Sequence, residues 1–176
     1  MKLALLLAAA ALPLAAPAFA QPQAIDPYPN SGPTTAATPF LFMAGESDVF
    51  EISSSLVALQ RSQNPEIRRY ATMLIDHHTR TTNIALAQAK AAGITPPPPI
   101  LQAPKRDMIT QLLAAPAADF DRVYLTQQVP SHEQALALHT TYAQNGDTPQ
   151  LRTAAQGAIP FVRQHLEDAR RMLGSM

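Results

Sequence analysis

The sequence predicts an all-α fold: a four-helix bundle of two antiparallel hairpins, joined by a long crossover that carries a short helix. Three observations point there. Ala and Leu abound among the 176 residues, Gly numbers only 6 and Trp is absent, a composition that favours helices over sheets. Four long segments repeat apolar residues at helical spacing. Two of the junctions between these segments are tight and one is long, and a tight junction makes neighbouring helices antiparallel. The length suits one domain, and 47% hydrophobic against 15% charged residues allows a sizeable core. A formal net charge of +0 leaves no electrostatic case for nucleic acid or an anionic membrane surface.

The chain opens as a processing signal. Lys2 precedes an apolar run from Leu3 to Leu14, and Ala18-Phe19-Ala20 forms an A-x-A cleavage site. Residues 1–20 therefore read as a signal peptide cut after Ala20, which places the mature protein in the periplasm or outside the cell. The apolar run is short and interrupted by Pro, so no transmembrane span is expected in the mature chain. The chain contains no Cys. A lipoprotein anchor is thereby excluded, and stability in an oxidising compartment must come from packing or a metal. Residues 21–38, rich in Pro, Ser, Thr and Gly, read as a flexible leader, and residues 39–174 as the bundle.

Thr38-Pro39 reads as an N-cap with Pro at the first helical position, opening a helix that runs to about Ser62. Its inward stripe is expected to be Phe42, Val49, Ile52, Leu56 and Val57, with Glu46 in the centre and Glu51 on the far side. Asn64-Pro65 repeats the signature and opens a second helix that ends at Ala92-Gly93, where Gly suits the C-cap. Its stripe includes Ile67, Ala71, Leu74, Ala85 and Ala89, with His78 in the middle and His77 at the edge. Pro96 to Pro99 forbids helix, and residues 94–116 form the crossover, with a short helix around Lys105 to Leu113. The third long helix, about Ala117 to Gln144, carries His132 and His139 in a wide apolar arc. The fourth opens at Thr148-Pro149 and runs to about Leu173, with His165 among its inward residues. Pro130 and Pro160 are expected to kink these two helices. Two hairpins with one long crossover give the ferritin-like connectivity.

Each long helix thus puts one ionisable residue on its inward stripe: Glu46, His78, His132 and His165. Counted from their turns, Glu46 and His78 lie at about the same depth, while His132 and His165 differ by roughly five residues, ~7 Å along an axis. Three imidazoles and a carboxylate would suit Fe, Zn, Mn or Cu. The carboxylate di-iron pattern needs Glu-x-x-His, but Ile75 and Val162 stand three residues before His78 and His165. A second reading stays open, in which these groups pair with one another as a satisfied polar layer that only fixes helix register. No Cys nucleophile, phosphate-binding Gly loop or general acid–base pair stands out.

An ordered string of residues carries a resemblance. Asn64-Pro65, Tyr70-Ala71, Leu74-Ile75-Asp76, His78, Phe120-Asp121, Tyr124, Val129, His132, Gly146-Asp147, Pro160 and His165-Leu166 resemble the bacterial secreted family called domain of unknown function 4142, over about Pro39 to Leu173. The resemblance implies a ferritin-like fold, export to the cell envelope and no established activity. The family's signature histidines fall on His78, His132 and His165. This chain departs from the pattern at Asp76-His77-His78, where acidic, acidic, His is usual, and at Glu51-Ile52-Ser53, where Glu-x-Glu is usual. The expectation is an exported helical-bundle protein that binds a metal ion through Glu46, His78, His132 and His165. The alternative is a non-catalytic structural or interaction protein of the envelope.

Overall fold

Proline and its neighbours decide where several helices start. The computed structural model describes residues 32–176, so the expected signal peptide and the leader up to residue 31 lie outside the described residues. Five helices follow: α1 (Ala37–Arg61), α2 (Pro65–Ala91), α3 (Ala103–Ala114), α4 (Phe120–Asn145) and α5 (Pro149–Gly174). No strand occurs among the described residues, and no helix there is long and apolar enough to cross a membrane.

At α2 the expected cap forms, with Asn64 Oδ1 accepting from the Glu66 N–H at 2.9 Å and Pro65 at the first helical position. Its end is a Schellman turn. Gly93 takes φ 71°, and the N–H groups of Gly93 and Ile94 return to the carbonyls of Lys90 and Ala89.

The start of α1 differs from the expectation. The helix begins at Ala37, ahead of Thr38-Pro39, and Ala36 offers no side-chain cap. Asp147, in the α4–α5 turn, does that work: its Oδ2 accepts from the Ala37 N–H at 3.2 Å, while its own N–H donates to Thr35 O at 2.9 Å. A cap supplied across space leaves no local signature. Tyr142 and Thr148 hydroxyls hold the other Asp147 oxygen, each at 2.9 Å. Gly146 lets this corner close, because a Cβ there would meet Tyr142 Cε1 at 2.5 Å.

The helix pairs α1–α2 and α4–α5 pack as neighbours, α2 also lies on α5 and α1 on α4, and α3 rests against α1 and α4. Pro130 and Pro160 sit inside unbroken helices, with their rings exposed. Two apolar clusters form. One gathers Ile67, Leu74, Leu112, Phe120, Tyr124 and Leu125 near the α1–α2 turn. The other gathers Phe40, Leu41, Leu138, Tyr142 and Leu151 near the α4–α5 turn. Between them the helices turn polar residues inward.

Residues on α1 clamp α3. The Arg61 guanidinium donates to the carbonyls of Leu112, Leu113 and Ala115 at 2.9, 2.6 and 2.6 Å, and lies 5.0 Å from the centre of the Phe120 ring. At the opposite end Glu46 Oε1 accepts from the Gln102 N–H at 2.6 Å. A carboxylate at the N-terminus and a cation at the C-terminus both match the helix dipole. Glu46 therefore belongs to the α1–α3 seam, which corrects the expectation that it points into the bundle.

Candidate metal centre

The inward face of α1 is Ala37, Leu41, Ala44, Asp48, Glu51, Ser55, Ala58 and Ser62, all buried and spaced alternately by four and three residues. Such a stripe is a helical seam. It is written in small and polar residues, so hydrophobicity does not mark it. Leu56, expected inward, is 49% exposed, and Glu51, expected on the far side, is 1% exposed. Helix phase thus brings Asp48 and Glu51 into the layer in place of Glu46.

His78 from α2, His132 from α4 and His165 from α5 meet opposite that face. Their ring centroids form a near-equilateral triangle with sides of 5.7, 5.3 and 5.3 Å. One ring nitrogen from each lies within 4.8 Å of the others. The depth offset read from sequence does not keep His132 from His165.

In every ring one nitrogen is engaged and the other has no partner. His78 Nδ1 bonds Asp48 Oδ1 at 2.7 Å, His132 Nδ1 donates to the Gln128 carbonyl at 2.9 Å, and His165 Nε2 lies 2.8 Å from His77 Nδ1. The buried atoms left over are His78 Nε2, His132 Nε2 and His165 Nδ1. A carboxylate or carbonyl only accepts here, so in the neutral rings of His78 and His132 the proton sits on Nδ1 and the Nε2 lone pair is free. With a proton on His165 Nε2, its Nδ1 presents the third lone pair. A buried polar atom without a partner costs about 1–3 kcal/mol, so three of them need a reason.

Electrostatics keep most of these rings neutral. Burial, reinforced by the neighbouring histidines, pushes His165 down to about 2. Burial also lowers His132 and brings His139 down to about 4. For His78 burial acts in the same direction, but the hydrogen bond and charge of Asp48, with the charge of Glu51, raise it above its ordinary value. Glu51 Oε1 stands 3.9 Å from His132 Nδ1, and neither of its oxygens has a hydrogen-bond partner. Lys105 reaches in from α3, with Nζ bonded to Ser131 Oγ at 3.2 Å and 4.3 Å from the Phe50 ring centre.

A cavity of ≈ 10 Å³ lies beside the triangle, lined by His77, His78, His139, His165 and Asp48 but not by His132. That is close to the least space that holds one water molecule. Imidazole nitrogens bind zinc at ~2.0–2.1 Å, and one nitrogen from each of the three rings already lies within 4.8 Å of the others. The carboxylate behind His78 and the backbone carbonyl behind His132 are partners of the kind that orient histidine ligands, and a second imidazole lies against His165. The residues therefore fit a transition-metal ion.

Of the four residues expected to meet, His78, His132 and His165 come together, and Glu46 does not. Asp48, not among the expected residues, and Glu51, expected on the far side, lie in the layer instead. The signal was present in the alternating spacing of α1, where both acids share a phase with Ala44, Ser55 and Ala58.

An all-helical protein with a buried histidine cluster is the class defined by fold and site. The chain belongs to the family described as Domain of unknown function (DUF4142), whose model matches residues 22–172. No curated protein matches the sequence. Among solved structures, the chain is similar to the DUF305 fragment from Deinococcus radiodurans, with a TM-score of 0.71 at 17% identity over 82% of this chain and 99% of that one. It is also similar to CopM in the Cu(II)-bound form, with a TM-score of 0.68 at 18% identity over 80% of this chain and 97% of that one. CopM in the Cu(I)-bound form gives 0.69 at 19% identity, over 81% and 98%. At these identities the likeness is one of fold.

Proposed function

We propose that the protein is an exported, ferritin-like helical protein that binds a transition-metal ion through His78, His132 and His165. Asp48 and the Gln128 carbonyl orient the rings of His78 and His132, His77 lies against the ring of His165, and Glu51 stands within the layer. Two observations carry this reading: one ring nitrogen of each histidine lies within 4.8 Å of the others, and each ring keeps one buried nitrogen without a hydrogen-bond partner while its other nitrogen is held. Imidazole donors suit copper, zinc and iron better than magnesium or calcium. The fold-level neighbours bound to copper and silver make copper the first ion to try. The packing of α1–α2 and α4–α5 as pairs, with α3 in the long crossover, supports the ferritin-like description.

The test is direct. Untagged protein is loaded with Cu, Zn, Fe or Mn and examined by elemental analysis and thermal melting, beside a His132→Ala variant. Bound metal and a raised melting temperature, both lost in the variant, are expected. Absence of bound metal with every ion leaves only the alternative, a polar layer that fixes helix register in a non-catalytic envelope protein. Export is tested separately, by the intact mass of the mature chain, expected to begin at Gln21.

A further inference from the structure

The three inward rings are sealed from solvent, His78 at 4%, His132 at 0% and His165 at 1% exposure. An ion cannot reach the space between them unless a side chain in its wall moves. His77 is half-buried and lines the small cavity beside His78 and His165. Its ring stacks on His165, with centroids 5.1 Å apart and planes at 21°, and its Nδ1 lies 2.8 Å from His165 Nε2. Phe161, one turn before His165 on α5, packs against His77 at 4.8 Å and closes the other side.

His165 is therefore addressed from two directions. Its Nε2 faces outward to His77, and its buried Nδ1 has no partner. A ring that takes an ion on its rim-facing nitrogen can bring it into the core by turning about its side-chain bonds, with the ion kept on that nitrogen. Helix α2 supports this division of labour, because consecutive residues lie ~100° apart around a helix. His77 consequently falls at the edge of the face that buries His78.

Building on the metal-binding reading above, we propose that His77 is the capture ligand. The proton between the two rings first exchanges away through water, leaving His77 as its Nε2–H and His165 as its Nδ1–H tautomer. His77 Nδ1 and His165 Nε2 then hold the incoming ion at the rim, and rotation of the His165 side chain carries it, still on Nε2, to the free nitrogens of His78 and His132. The ligand class is a d-block cation that takes imidazole, such as copper or zinc. Two nitrogens that share an ion at ~2.0 Å stand further apart than 2.8 Å, so the pair must part as it loads. The same outward path serves release.

Two roles for His77 predict opposite kinetics. If it only orients His165, as outer partners of metal ligands do, its removal speeds release and leaves loading alone. If it captures the ion, its removal slows loading and release together, while the inner nitrogens keep the stoichiometry. The experiment follows Zn²⁺ or Cu²⁺ loading of the apo full-length mature chain by stopped flow, and release into excess chelator, for wild type, His77→Ala and His77→Gln. His132→Ala is the control for the inner site.

Both rates are expected to fall at least about tenfold in both His77 variants, the scale on which such neighbours act. Loading at the wild-type rate, or faster release, overturns the capture role while leaving metal binding intact. A wild-type protein that takes up neither ion overturns the metal reading, and the capture role with it. Circular dichroism confirms the helical fold of each variant before the rates are compared.

Discussion

Near the α1–α2 turn, Leu74, Ile67, Phe120 and Leu125 pack with almost no exposure, and the hydroxyls among them are satisfied. Tyr70 donates to His165 O at 3.1 Å, and Tyr124 is bonded to Ser55 at 2.8 Å. Halfway along the same helices, Glu51 and three histidines are equally buried, yet both Glu51 oxygens and one nitrogen of each ring have no partner. Buried unsatisfied groups are scarce in folded proteins. Asp121, Gln127, Gln128 and His139 each keep one such atom as well, but five of the nine among the described residues fall on Glu51 and the three histidines, and that concentration is what the metal reading rests on.

The largest effect should come from the end cluster. Leu74→Ala removes a fully buried side chain and is expected to cost about 2–5 kcal/mol in chemical denaturation, with metal stoichiometry unchanged. His132→Leu makes the contrasting case. It deletes an orphan nitrogen, so the apo midpoint should hold or rise. Stabilisation by metal, about 2.7 kcal/mol at a hundredfold excess over Kd, should vanish. If the two variants lose stability equally, the contrast between end and middle fails.

Acid sharpens the contrast further. His132, His139 and His165 have pKa values depressed by burial, so their neutral forms favour the folded state, and that stability is complete only above the unfolded value near 6.5. As pH falls below about 6.5 the unfolded chain takes up protons that the folded chain refuses. Each such ring then removes up to about 1.4 kcal/mol per pH unit. His78, with a raised value, contributes in the opposite sense: its share is full below about 6.5 and is lost as pH rises through its folded value. Thermal melting of the apo protein between pH 7.5 and 5 should show a net loss, smaller in His165→Leu.

The smallest effect belongs to the far corner. Asp147→Ala removes the cap on α1 and the bonds to Tyr142 and Thr148, and should cost about 1 kcal/mol. Metal binding should not respond, and a response there would mean that the polar layer extends to the end of the molecule.

Much of this design was legible from residues alone. Local rules placed the Asn64-Pro65 start, the Gly93 stop and the short helix in the crossover within a few residues, because caps and prolines act on their own backbone. The three histidines stood out because titratable rings interrupted apolar stripes on α2, α4 and α5. On α1 the apolar residues mark the wrong face. Its seam is made of Ala, Ser, Asp and Glu, while Phe42 and Glu46 face the crossover and Leu56 faces water. Periodicity could not tell which of several faces was covered by which neighbour.

What the chain determined by itself was the set of helices and the presence of ionisable groups on their inner faces, since both follow from interactions within a few residues. Tertiary structure decided which acid joins the histidines. That choice depends on α3 covering one side of α1 and drawing Glu46 to its N-terminus, so that Asp48 and Glu51 are turned inward. Only packing can set the rotation of a helix that carries more than one buried face.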